Sequence, residues 1–107
     1  MYNNKFVELF LTCAGWQEAQ SIVDVLLEKK LIACAEFLDI KSRYWWEGKI
    51  EEAKEIKLIM QTVMNNFSKI EAEVAKLHSY KTFVLSAVPV DQISDKAGLW
   101  LEENTRG

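Results

Sequence analysis

The 107-residue chain contains one proline, four glycines, two cysteines and a single histidine. With so little proline and glycine, no stretch reads as a linker or a low-complexity tract. The length then suits one domain over residues 1–107. Cys13 and Cys34 have neither Cys-x-x-Cys nor zinc-ribbon spacing. They therefore make no disulfide framework and suit a reducing compartment, so a cytoplasmic protein is expected. No basic run breaks up the 13 basic and 16 acidic residues, and the net charge is −3. That balance leaves no footprint for nucleic acid. No apolar run is long enough for a membrane helix, and the first residues lack the layout of a signal peptide. A glycine-rich phosphate loop and a matched pair of catalytic carboxylates are both missing, so neither phosphate cradling of that kind nor paired-carboxylate acid/base chemistry is expected. What the chain does have is apolar content: 50% of its residues, enough for a core without staples.

Periodicity organises that content. Residues 5–13, KFVELFLTC, form a short apolar run and read as a buried strand. From Trp16 to Lys30, Ala19, Ile22, Val23, Leu26 and Leu27 recur at helical spacing, with Lys29 and Lys30 in the last turn, where the helix dipole favours cations. A second strand is expected from Leu31 to Ile40, continuing through Lys41–Trp46 after a kink near Asp39. Past a turn at Glu47-Gly48, a third strand puts Ile56, Leu58, Met60 and Thr62 on one side, and Lys57, Ile59, Gln61 and Val63 on the other. Ser68 and Glu71 have capping-box spacing, with Asn65 or Asn66 as alternative caps. Phe67, Ile70, Val74 and Leu77 then form one helical stripe. Thr82–Val90 is strand-like and ends near Pro89. A last short helix carries Ile93, Ala97, Trp100 and Leu101. The order β-α-β-β-α-β plus a C-terminal helix predicts an α+β, ferredoxin-like split-βαβ fold with a long hairpin between its second and third strands.

The hairpin carries a cluster of aromatic residues, SRYWWEGKIEE (42–52). Adjacent strand residues point to opposite faces, so Trp45 and Trp46 cannot both serve one core. The first arm, about 16 residues at roughly 3.3 Å each, would reach about 50 Å if straight, whereas a globule of this length has a radius of gyration of about 13 Å. The ribbon should therefore overhang its domain, and isolated ribbons are barely stable in water. Tyr44, Trp45, Trp46, Glu47, Gly48 and Lys49 are thus expected at a subunit interface, with one tryptophan packing in the sheet's own layer and the other on a neighbour. The acidic run Glu51, Glu52 and Glu55 is either a solvated face or a registry device between subunits.

LLEKKLIACAEF (26–37) and YWWEGKIEEAKEIKLIMQT (44–62), with His78, Tyr80 and Val88-Pro89-Val90 in register, resemble the CutA family of divalent-cation tolerance proteins over nearly the whole chain. The resemblance implies a ferredoxin-like homotrimer with hairpins extending between subunits. It also implies a role in tolerance to divalent metals, with copper as a proposed ligand and no enzymatic reaction. Two stretches depart from the family's pattern. His78-Ser79-Tyr80-Lys81-Thr82-Phe83 stands where a His-Pro-Tyr-Glu/Gln-x-Pro stretch is usual, and the added Lys81 opposes a cation near His78. Asp39-Ile40 stands where a Pro-Gly kink is common. Other trimeric readings are a regulatory module similar to the PII signalling proteins, binding a small ligand in inter-subunit clefts, and a scaffold for another protein.

The predicted topology also sorts the candidate ligands. Cys13 ends the first strand and Cys34 begins the second, which runs parallel to it with the third strand between them, so the two lie at opposite ends of the sheet. His78 closes the second helix at the Cys13 end. Cys13 and His78 are therefore the expected pair for a soft metal such as copper. Cys34, among apolar neighbours, reads as a buried small side chain, and His78 has a plainer role available at a helix C-terminus. Thr12–Trp16, joining a strand to a helix start, has the layout of a weak anion site.

Overall fold

The computed structural model describes residues 5–107. Residues 1–4, part of the stretch read above as lacking a leader, lie outside the described residues. The elements are β1 (Phe6–Cys13), α1 (Trp16–Glu28), β2 (Cys34–Trp46), β3 (Lys49–Val63), α2 (Phe67–Leu77), β4 (Leu85–Pro89) and α3 (Asp95–Glu103). The sheet order is β2-β3-β1-β4 with every neighbouring pair antiparallel. This is the split-βαβ, ferredoxin-like arrangement.

Alternation in β3 decides which sheet face the helices cover. Ile56, Leu58, Met60 and Thr62 are all buried, while Lys57, Ile59, Gln61 and Val63 are only partly so. Leu9, Leu11 and Cys13 of β1 pair with Met60, Leu58 and Ile56 and point the same way. Ala19, Ile22, Val23 and Leu26 of α1, with Ile70 and Val74 of α2, close over them as one core. Leu27 and Leu77, the outer members of the two stripes, stay exposed. α3 closes one end of the domain, with Leu101 buried and Gly98 near the Phe6 ring.

Helix α1 stops at Glu28, two residues short of the expected end, for a specific reason. Lys30 has φ +55°, the left-handed conformation that usually ends a helix at glycine. The Lys30 N–H donates to Leu27 O (3.0 Å) and the Leu31 N–H to Leu26 O (2.9 Å), the two bonds of a Schellman motif. Leu26 and Leu31 are both buried beneath it. Leu31–Ala33 are thereby used in leaving the helix, and β2 begins at Cys34. At the start of α2 the capping box is not formed. Ser68 lies inside the helix, and the Asn66 side chain turns inward, donating to Leu31 O, Thr105 O and Thr62 Oγ1. β4 is shorter than expected: its ladder with β1 runs from Val7↔Pro89 to Leu11↔Leu85, and residues 82–84 lie outside it.

The hairpin projects as the length argument requires. β1 ends opposite Ile56, so the seven pairs from Ile40↔Glu55 to Trp46↔Lys49 form a two-stranded ribbon, about 23 Å long at roughly 3.3 Å per residue. The molecule measures 45 × 26 × 22 Å. No kink interrupts the ladder at Asp39, whose pairing with Ile56 keeps the register of its neighbours. Neither Asp39 nor Ile40 is a proline or glycine, and nothing there withholds an N–H. Glu47 (φ +49°) and Gly48 (φ +78°) make the tip, as a two-residue turn matched to strand twist demands. Trp45 is 72% exposed and Trp46 49%. The expectation that one of them packs in the sheet's own layer is therefore corrected: the helices stop short of the tip, and this chain covers neither.

Candidate metal centre

β1, α1 and the segment after α2 meet at one end of the sheet. β1 brings Cys13 there facing the helices, and α1 begins three residues later. α2 runs back along the same face and ends at His78, whose side chain is fully buried. One ligand atom from each of Cys13, Glu18 and His78 lies within 4.8 Å of the others. The expected pair, Cys13 and His78, is thus brought together. Glu18 joins them without having been singled out in the sequence. Its signal was its place three residues after the glycine that starts α1, where a carboxylate can reach back to backbone N–H groups. Its Oε2 accepts the Ala14 N–H at 2.9 Å, so α1's own side chain fills the anion position expected at Thr12–Trp16.

Hydrogen bonds define the state of each group. The His78 ring faces the Thr12 carbonyl through Nε2 (2.8 Å), while Nδ1 accepts the Tyr80 N–H (3.0 Å). These partners assign the neutral tautomer protonated at Nε2. Phe83 stacks on the ring at 5.3 Å and Tyr80 lies tilted at 5.0 Å. Glu18 Oε1 accepts the Ser79 N–H at 2.7 Å. A proline, usual there in the family resembled, has no N–H to give. Burial pushes the Glu18 carboxyl up, but the bonds from Ala14 and Ser79, with His78 nearby, outweigh it and hold the group below its ordinary range. Cys13 moves the other way. Burial, then the charges of Glu18 and Glu55, push its thiol up to about 12. Tyr80 donates its hydroxyl to the buried Glu55 carboxylate. Burial first, then that hydrogen bond, raises its own ionisation. Lys81 is exposed and makes no hydrogen bond or ion pair with the cluster.

One sulfur, one imidazole nitrogen and one carboxylate oxygen suit a soft or borderline cation such as copper or zinc. Two features oppose loading: Cys13 must give up a proton, and His78 must release its Nδ1 lone pair from the Tyr80 N–H. The negative charge that raises the thiol is also what a cation would neutralise. The residues fit such an ion.

Cys34 is not part of this cluster. Its partner across the ladder is Gln61, which places it on the face opposite the helices, half-buried, with Sγ donating to Gln61 Oε1 at 3.3 Å. The expectation of a buried packing residue is corrected: register, not its apolar neighbours in sequence, sets its face. Burial, then Glu36 and Glu8, raise its thiol. Tyr44, Trp45, Trp46, Glu47, Gly48 and Lys49 lie at the outer end of the ribbon and are all exposed.

Residues 7–104 match a family model described as CutA1 divalent ion tolerance protein. The divalent-cation tolerance protein CutA of Archaeoglobus fulgidus is 39% identical over 95 residues, covering 89% of this chain and 93% of that protein. The one from Pyrococcus horikoshii is 34% identical over 98 residues, covering 92% and 96%. A solved structure of the Archaeoglobus fulgidus protein, described as periplasmic, superposes with a TM-score of 0.93 at 37% identity, covering 94% of this chain and 99% of that one.

Proposed function

The chain belongs to the CutA1 divalent ion tolerance family, and on that premise we propose that it serves divalent-cation tolerance, without catalysing a reaction, as a cytoplasmic homotrimer that takes copper at Cys13, Glu18 and His78. One observation carries the copper assignment: three donor atoms of different chemistry converge within 4.8 Å at the end of the core. Holding a cation there lowers its free concentration, which is the plainest physical route to tolerance. Cys13 Sγ supplies the soft ligand, His78 the borderline one, and Glu18 a charge already held ionised by its backbone donors. When bound, the ion supplies the positive charge that the buried thiol lacks.

The trimer is supported by the ribbon. Tyr44, Trp45, Trp46 and Ile50 expose large apolar surface on both faces of a two-stranded projection, and such surface in water favours association. Two free thiols held apart at opposite ends of the sheet suit a reducing compartment.

Calorimetry with copper tests the site. Cys13→Ser, His78→Ala and Glu18→Gln should each weaken binding by more than about tenfold, or 1.4 kcal/mol, while Cys34→Ser changes little. Equal loss from Cys34→Ser would show that the wrong cysteine was chosen, and undetectable binding by the wild type would remove the copper assignment. Light scattering at low micromolar concentration should give three times 12.4 kDa. A stable monomer there would remove the trimer.

A further inference from the structure

Where the ribbon leaves the sheet, it and the first turn of α1 enclose a cleft of about 600 Å³, within the usual range for small-molecule sites. Trp16 forms one wall, half-exposed and leaning on Phe37 at 4.9 Å between ring centroids. Lys41 and Lys54 form the other, with Asp39 and Ile56 at its inner end. Lys41 and Lys54 are direct cross-strand partners. They share the face of Phe37 and Leu58, the helix side of the sheet. Like charges placed directly opposite destabilise a ladder; the carboxylates beside them on this face are Asp39 and Glu52. Glu52 is shared between Lys41 (3.6 Å) and Arg43 (3.5 Å). Among the described residues Lys54 makes no ion pair. Glu55, also at the cleft, is engaged by the Tyr80 hydroxyl.

We propose that this cleft binds a small organic anion, its charge held between Lys41 and Lys54 and its flat apolar part against Trp16. The three features match one ligand class: two ammonium groups on adjacent strands, an aromatic wall facing them, and room for a ring. An anion at the lysines turns an unfavourable like-charge pair into a chelating one. The Trp16 ring offers apolar contact at little cost in conformational freedom. Asp39 at the inner end accepts a ligand N–H or O–H. This site is separate from the Cys13–Glu18–His78 cluster and does not depend on a metal.

Titration calorimetry on the assembled protein, with phenyl phosphate, benzoate, inorganic phosphate and phenol as probes, tests it. Phenyl phosphate should bind saturably, at least about tenfold tighter than inorganic phosphate or phenol, and more weakly as salt rises. Benzoate separates phosphate from carboxylate preference. Lys54→Met and Lys41→Met should each weaken phenyl phosphate at least about tenfold, while Trp16→Leu should erase its advantage over inorganic phosphate. Lys69→Met on the exposed face of α2 serves as the control and should change nothing. Without ligand, Lys54→Met should raise the denaturation midpoint by removing the like-charge pair, and added phenyl phosphate should raise the midpoint of the wild type and the control but not of the Lys41 and Lys54 variants. No saturable binding of either aromatic anion, or binding untouched by both lysine variants, would overturn the proposal.

Discussion

Glu18→Ala probes how the cluster end of the domain is held together. The carboxylate accepts two backbone N–H groups, Ala14 at 2.9 Å and Ser79 at 2.7 Å. Those residues belong to different parts of the chain, so the bonds tie the start of α1 to the segment after α2. Hydrogen bonds to a charged group contribute about 1.5–3 kcal/mol each. Ala14 and Ser79 are exposed, so water replaces part of what is lost and the lower bound applies, about 3 kcal/mol for the pair. Glu18→Gln keeps one acceptor oxygen without the charge and should cost about half as much. Urea denaturation at fixed protein concentration, near neutral pH and again in acid, measures both. The folded-state carboxyl lies below its unfolded value. Its contribution is therefore complete above the unfolded carboxylate range and is lost as pH falls through the folded value. The gap between wild type and Glu18→Ala should close on acidification. A neutral-pH cost under about 0.5 kcal/mol, the ordinary surface range, or a cost undiminished in acid, would refute this account.

Trp45→Ala and Trp46→Ala test the two faces of the ribbon. Both residues are exposed in the single chain, so any loss approaching the roughly 3–5 kcal/mol of a buried tryptophan must come from a neighbour. Each variant should weaken the assembly and make its melting temperature depend on protein concentration; a variant that keeps wild-type assembly leaves its face in solvent. Lys30→Gly should stabilise the protein by about 0.5–1 kcal/mol, since glycine adopts the φ of +55° at position 30 without a Cβ penalty. Chemical denaturation reads it, and a neutral or destabilising result would mean that the Lys30 side chain makes a contact outweighing its backbone strain.

Sequence by itself determined what local periodicity can specify. The side-chain period of two in β3 put Ile56, Leu58, Met60 and Thr62 on one face, and the structure buries all four. The stripes of α1 and α2 and the order of elements followed from the same reasoning. So did the overhanging ribbon, which needs only residue counts and a rise per residue. Cys13 and His78 could be paired in advance because topology alone delivers a strand end and a helix end to one edge of the sheet.

Tertiary structure decided whatever depends on groups far apart in the chain. Glu18 enters the cluster only once Ser79, 61 positions on, offers it an N–H, and no spacing rule encodes that approach. The face of Cys34 depends on its register against Gln61, and a one-residue slip would have sent it into the core. Asn66 gave up capping α2 because docking against Leu31 and Thr105 offered its amide buried carbonyls, which are costlier to leave unpaired than helix N–H groups near water. The cleft at the ribbon's base joins Trp16 to Lys41 and Lys54: Trp16 leans on Phe37 across the fold, and the lysine pair follows four ladder pairs further along the ribbon, so no local spacing brings the three together.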